Sequence, residues 1–202
     1  MDIDTYLDHW ESNHIWTHFG WPKHQQRFKT LAKYLEGKVF LDAGCAFGHS
    51  TIALKKLCPG KWTGLDFSGR AISRARGVFP EKKYDIRFKF SPDFNLLPKV
   101  QEWFGEDFIG FDSVVCSEVL EHIDEDWKLL QGLMRITRKV LAISTPCVPI
   151  DDPGHIRLYA KNSLSELLGA NKRYHYEIIE DSPFFFARVW HKKVVSSLKA
   201  IA

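Results

Sequence analysis

From residue 38 onward, short runs rich in apolar and β-branched residues alternate with stretches whose apolar residues recur at helical spacing. Few other sequence features restrict a fold so strongly. The candidate strands are Lys38–Leu41, Lys61–Asp66, Asp85–Phe90, Phe111–Ser117 and Lys139–Ser144. Several are almost continuously apolar, as expected of strands covered by helices on both faces. Between them, HSTIALKKLC, SGRAISRARGVF, LLPKVQEWF and DEDWKLLQGLMRI each carry an apolar stripe of helical period. Ser68 stands as an N-cap before the second of these helices, and Pro59-Gly60 closes the first. Five βα steps in succession dictate an α/β fold, a doubly wound and mostly parallel sheet with right-handed crossovers. After a helix expected at Asn162–Leu168, the runs His175–Glu180 and Phe184–His191 flank Asp181-Ser182-Pro183. They read as a C-terminal antiparallel hairpin that completes a seven-stranded sheet.

At 202 residues the chain suits one domain, expected over 38–202, with an N-terminal appendage over 1–37 that holds one helix near Lys23–Glu36. A hydrophobic share of 45% against 26% charged residues excludes a disordered chain. No run approaches the ~20 apolar residues of a membrane span. The opening MDIDTYLDHWESNH lacks a basic stretch followed by an apolar one, so no leader is expected. Cys45, Cys58, Cys116 and Cys147 lie far apart with no C-x-x-C pair, which favours free thiols and a cytoplasmic protein. A formal charge of +3 is too slight to argue for nucleic acid. The appendage crowds His9, Trp10, His14, Trp16, His18, Trp21 and His24 together. His14 and His18 have an i, i+4 spacing but no evident third ligand. The cluster reads either as an apolar lid that excludes water from a site or as plain packing onto the sheet.

The stretch VFLDAGCAFGHST, Val39 to Thr51, runs from an apolar strand through a turn of small residues into a helix. Small residues admit close approach of a ligand to the backbone, and a helix N-terminus offers N–H groups. Gly44, Ala46 and Gly48 fall at alternate positions, so the dinucleotide pattern G-x-G-x-x-G is not met. Asp42 at the strand end would repel a pyrophosphate but suits a ligand ammonium. Asp66 closes the next strand, where a carboxylate accepts both hydroxyls of a ribose. Each aspartate taken alone is equally well read as a cap on a turn or strand end.

In these residues the chain resembles the class I S-adenosylmethionine-dependent methyltransferases, from Val39 to about Leu168, roughly two thirds of its length. LDAGCAFG is similar to the family loop D-x-G-C-G-x-G, GLDFSGRAISRAR to its second motif and FDSVVCSEVLEHI to its fourth. The resemblance implies a Rossmann-like methyltransferase fold and S-adenosylmethionine as cofactor. It places Asp42, Gly44 and Gly48 around the methionine moiety, Asp66 on the ribose, Asp93 at the adenine edge and Ser117 beside the methionine end. Cys45, Ala46, Phe67 and Phe94 complete the implied cofactor-binding set. Two departures stand out: Ala46 replaces the usual middle glycine, and Thr137-Arg138-Lys139 replaces the Pro-Gly-Gly turn common before the fifth strand.

SEVLEHIDEDW begins where the fourth strand ends, the sheet edge at which open α/β folds hold ligands. Glu118, Glu121 and His122 stand at i, i+3 and i+4, a spacing that one helical turn gathers on one face. Carboxylates plus imidazole suit Mg²⁺, Mn²⁺ or Zn²⁺, and His155 in the loop after the fifth strand is a candidate fourth ligand. E-x-x-E-H with a later His resembles the ubiquinone-pathway O-methyltransferases and the small-RNA 3′-terminal 2′-O-methyltransferases. In both, the resemblance implies a divalent ion that holds substrate hydroxyls beside the methyl group. Three roles stay open for the cluster: metal binding, general-base catalysis by His122, or structure only. The function expected is methylation of a small-molecule hydroxyl, with Glu118, Glu121 and His122 as catalytic residues. A 2′-O-methyltransferase acting on an RNA terminus, and a non-catalytic cofactor-binding partner subunit, are the alternatives.

Overall fold

The apolar runs become strands because their backbone groups find partners only in one another. The computed structural model describes residues 22–192. His9, Trp10, His14, Trp16, His18 and Trp21, and with them the lid expectation, lie outside the described residues. Helix α1 spans Pro22–Ala32; β1 (Val39–Ala43), α2 (His49–Leu57), β2 (Lys61–Asp66) and α3 (Gly69–Val78) follow. A short α4 (Glu81–Tyr84) precedes β3 (Ile86–Phe90), α5 (Leu96–Phe104) and β4 (Phe111–Ser117). Then come a single 3₁₀ turn (Leu120–His122), α6 (Asp126–Ile136), β5 (Thr137–Pro146), α7 (Lys161–Gly169), β6 (Tyr174–Asp181) and β7 (Phe184–His191).

The seven strands form one sheet in the order β3-β2-β1-β4-β5-β7-β6. The first five are parallel, while β7 pairs antiparallel with both β5 and β6. The doubly wound sheet and its closing hairpin are those the sequence predicts. Strand alternation sends consecutive residues to opposite cores. Val114, Leu141 and Phe185 pack on one face, and Val115, Ala142 and Phe186 on the other. Phe28 and Leu31 of α1 belong to the second core, together with Leu54, Trp62 and Ile86.

Several element ends shift for identifiable reasons. β1 begins at Val39 rather than Lys38 because Asp112 Oδ2 accepts from both the Lys38 and Val39 amides, at 2.9 and 3.1 Å. α1 stops at Ala32, earlier than expected, and unwinds through tighter turns. Beyond it the Glu36 amide and carbonyl both bond Ser113 Oγ of β4 at 2.8 Å. α6 passes into β5 without a turn: Thr137 Oγ1 donates to the Leu133 carbonyl at 2.7 Å and takes over helix bonding as the strand starts. Ser68 caps α3 as expected, accepting from the Ala71 amide. All four cysteines are free; Cys45 and Cys116 are buried, Cys58 and Cys147 half-buried. Among the described residues no helix is long and apolar enough to cross a membrane.

Candidate active site

Strand order reverses between β1 and β4, and the crevice beyond their carboxyl ends is where such sheets hold ligands. The loop after β1 is built for close approach. Gly44 has φ 79° and a Cβ there would come within 2.3 Å of Val119; Gly48 has φ 85° and a Cβ would meet the Phe88 ring at 2.7 Å. The amides of Gly44 and Cys45 both donate to the Leu65 carbonyl, tying the loop to β2. Gly48 is the N-cap of α2 and supplies no side-chain cap to that helix end. Ala46 also adopts a left-handed conformation, φ 44°.

Two buried aspartates hold this loop in shape. Asp42 Oδ2 accepts from Ser50 Oγ and Thr51 Oγ1, each at 2.7 Å, so the end of β1 is bolted to the first turn of α2. Asp66 Oδ2 accepts from the Ala46 amide at 2.8 Å and Oδ1 from the Ser68 amide at 2.9 Å. Burial raises the carboxyls of both; Asp66 is pushed up to about 6, against the lowering effect of its backbone donors. Cys45 is buried beside them, and desolvation followed by the two carboxylates keeps its thiol protonated. Phe67 and Phe94 meet edge to face with centroids 4.9 Å apart, bringing the loops after β2 and β3 together. Asp93 is exposed, its Oδ1 accepting from the Asn95 amide at 2.8 Å, and it borders a cleft between the start of α5 and α6 that Lys128 and Arg135 also line. Ser117 Oγ pairs with Ser144 Oγ across the β4–β5 ladder at 2.8 Å.

The acidic-histidine segment departs from the expected helical turn. Glu118 sits at φ 56°, its amide bonded to the Ser144 carbonyl, and only Leu120–His122 coil, as a 3₁₀ turn. Glu118 lies close enough to Glu121 for their charges to repel, yet it stands outside the group that Glu121 forms with the two histidines. Its carboxylate meets Arg27 Nη1 at 3.3 Å and accepts from Ser144 Oγ at 3.1 Å. Glu121 instead turns inward and is fully buried. Its Oε2 accepts from Thr145 Oγ1 at 3.2 Å, while buried Oε1 has no hydrogen-bond partner among the described residues. Burial, then the neighbouring Glu118 charge, raise its carboxyl well above the usual range.

His122 and His155 complete the group. Their rings lie 4.7 Å apart at 66°, and one ligand atom from each of Glu121, His122 and His155 falls within 4.8 Å of the others. His122 Nδ1 is 2.9 Å from the Gly154 carbonyl, which can only accept, so Nδ1 carries the proton and Nε2 the lone pair. Desolvation lowers both imidazoles below their usual range and keeps them neutral near pH 7. The amide of Ile156 bonds the Glu121 carbonyl at 3.0 Å, which docks the His155 loop on the 3₁₀ turn. Of the four residues singled out as a ligand set, the structure thus brings three together and hands Glu118 to Arg27.

Arg27, Ser144 and Thr145 were not among the expected site residues. The polar pair Ser144-Thr145 at the end of the apolar run LAIS was the available signal for two of them; a single arginine on an amphipathic helix gives none.

Comparison with known proteins agrees with this architecture. The matched relatives include ribosomal protein L11 methyltransferase of Thermotoga maritima, 32% identical over 110 residues, 54% of this chain and 37% of that protein. Ubiquinone biosynthesis O-methyltransferase of Coxiella burnetii is 30% identical over 98 residues, 48% of this chain and 38% of the relative. The chain therefore spans well under half the length of these two relatives. Solved structures of the same fold include magnesium protoporphyrin IX methyltransferase of Synechocystis with bound S-adenosylhomocysteine, with TM-score 0.59 and 16% identity over 84% of each chain. The methyltransferase domain of a bacterial Hen1 protein superposes with TM-score 0.63 at 20% identity, covering 83% of this chain and 97% of that one. Residues 35–197 match the family described as a methyltransferase domain, and the chain belongs to it, within the class I S-adenosylmethionine-dependent methyltransferases.

Proposed function

We propose that the chain transfers the methyl group of S-adenosylmethionine to a hydroxyl of a small molecule, with a divalent cation held by Glu121, His122 and His155. The observation that carries this reading is the trio itself: a buried carboxylate with an unpartnered oxygen beside two neutral imidazoles, all within 4.8 Å. A buried carboxylate oxygen left without a donor is unfavourable, and a cation satisfies it. One oxygen and two nitrogen donors suit Mn²⁺, Zn²⁺ or Mg²⁺. A cation bound there would lower the pKa of an acceptor hydroxyl and orient it.

The protein's own contribution is positional. The Gly44–Gly48 turn admits the cofactor close to the backbone, and Asp66 offers acceptor lone pairs to ribose hydroxyls. Phe67 and Phe94 supply an aromatic edge for the adenine. His122, fixed by the Gly154 carbonyl, and His155, fixed through the Ile156–Glu121 bond, hold the acceptor side rigid, which favours in-line transfer. A formal charge of +3 is too slight to argue for a polynucleotide, and the basic residues of RAISRAR and NKRYH are scattered rather than gathered in a dense patch, which supports a small acceptor. The likeness of E-x-x-E-H to the motif of the small-RNA 3′-terminal 2′-O-methyltransferases makes RNA the competing acceptor class.

Labelled-methyl transfer to a panel of hydroxylated small molecules, with and without chelator, tests the proposal. Chelation should abolish turnover and Mn²⁺ restore it. Glu121→Ala should lower turnover by about 100-fold while S-adenosylhomocysteine affinity is kept. Turnover that ignores the chelator yet vanishes in His122→Ala would mark His122 as a general base instead. Transfer to short RNA alone, with binding that weakens steeply in salt, would move the substrate to RNA. Cofactor binding with no labelled product on any acceptor would leave a binding module.

A further inference from the structure

Arg27 comes from α1, outside the motifs that define the fold, yet its guanidinium reaches the edge of the site. It is 5% exposed and lies over the rings of Phe28 and Phe184, 5.2 and 5.1 Å from their centroids. Its Nη1 is 3.3 Å from Glu118 Oε2, and the other Glu118 oxygen accepts from Ser144 Oγ at 3.1 Å. Ser144 is itself fully buried and braced by Ser117 at 2.8 Å. Both oxygens of Glu118 therefore have partners on the side of α1 and β5. The left-handed turn at φ 56° and the amide bond to the Ser144 carbonyl fix the backbone that aims them there. Glu121, three residues on, is in the opposite condition, with Oε1 buried and unpartnered. Drawing Glu118 toward a cation would break the one direct ion pair that the described residues give this buried guanidinium, leaving it only the more distant charges of Asp42 and Glu121, an unfavourable exchange.

We propose that Arg27 is a positioning residue that withholds Glu118 from the metal, so that the cation is held by Glu121, His122 and His155 alone. The proposal rests on the metal reading above and concerns the number of protein ligands. One carboxylate and two neutral imidazoles leave a dication with net positive charge and open positions for acceptor oxygens. Recruitment of a second carboxylate would cancel that charge and weaken the pull on the acceptor hydroxyl. Helix α1 thus acts on the strength of the site without touching substrate.

Titration of the full chain with Mn²⁺ by calorimetry tests the assignment. Arg27→Met keeps an unbranched side chain between the two rings and frees Glu118; it should tighten Mn²⁺ binding about tenfold or more. The charge-neutral double variant Arg27→Met/Glu118→Gln should return affinity to within about threefold of the parent, because no ligand has been lost. A drop of about 100-fold in the double variant, equal to that of Glu121→Gln, would make Glu118 a ligand and overturn the proposal. Arg27→Met with unchanged affinity would overturn it as well. Should Arg27→Met fail to fold by circular dichroism, the double variant, which buries no unpaired charge, decides alone. Failure of the metal reading looks different: the parent chain binds no Mn²⁺, or Glu121→Gln leaves binding unchanged.

Discussion

Asp66 braces the scaffold, and in the function proposed above the same side chain would also meet the ligand. Its oxygens bond the Ala46 and Ser68 amides, so the carboxylate proposed to meet the ribose also holds the loop. Burial lifts its pKa from 3.8 to about 6, so ionisation is harder in the fold than in the unfolded chain. Its contribution to folding stability is therefore fully present below about pH 4 and fades as pH climbs through 6. The proposed ribose contact would have the opposite sign, since hydroxyls donate more strongly to an ionised carboxylate. Affinity for S-adenosylhomocysteine should rise between pH 5 and pH 7, and Asp66→Asn should flatten that rise in a calorimetric titration. A pH-independent affinity in the parent protein would count against the ribose contact. Ala46 belongs to the same network: its left-handed backbone costs about 1–2 kcal/mol relative to an ordinary conformation, and the bond to Asp66 helps to hold it there.

At the scale of elements, legibility followed periodicity. α5 at Leu96–Phe104 and β7 at Phe184–His191 were readable to the residue because an apolar stripe and a turn signal bounded each of them. The turn from β1 into α2 was readable because its glycines at Gly44 and Gly48 suit the positive φ that a tight strand-to-helix passage needs. The 3₁₀ turn at Leu120–His122 was not, because i, i+3, i+4 spacing describes an α-turn and a glutamate gives no warning of a positive φ. Arg27 escaped for a related cause: on an amphipathic helix a basic residue reads as solvated, and only tertiary packing carries it to Glu118. The junction of α6 and β5 hides its boundary too, since no glycine or proline marks it. Thr137→Val keeps the shape but removes the donor to the Leu133 carbonyl. It should lower stability by about 1 kcal/mol, read as a fall in Tm of about 2–4 °C.

Taken whole, the molecule gathers its site from elements far apart in sequence. In the proposed function β1 and β2 would supply the cofactor side and β4 with the loop after β5 the acceptor side, while α1 supplies the guanidinium that balances Glu118. Ligands that bind only this assembled arrangement must stabilise all of it. S-adenosylhomocysteine at about 100 times its Kd should add about 2.7 kcal/mol, a Tm rise of about 5–10 °C in a thermal scan. No rise at saturation would mean that the crevice does not hold the cofactor. The placement of β7 between β5 and β6 carries one more consequence. β6 is synthesised first, but among the described residues its neighbour in the sheet is β7 alone, so its described partner is missing until residues 184–191 emerge. Over the same interval β5 presents a bare edge of unpaired N–H and C=O groups. The described sheet consequently cannot close before β7 has emerged, and a nascent chain must pass through a stage in which β5 and β6 are open to wrong partners.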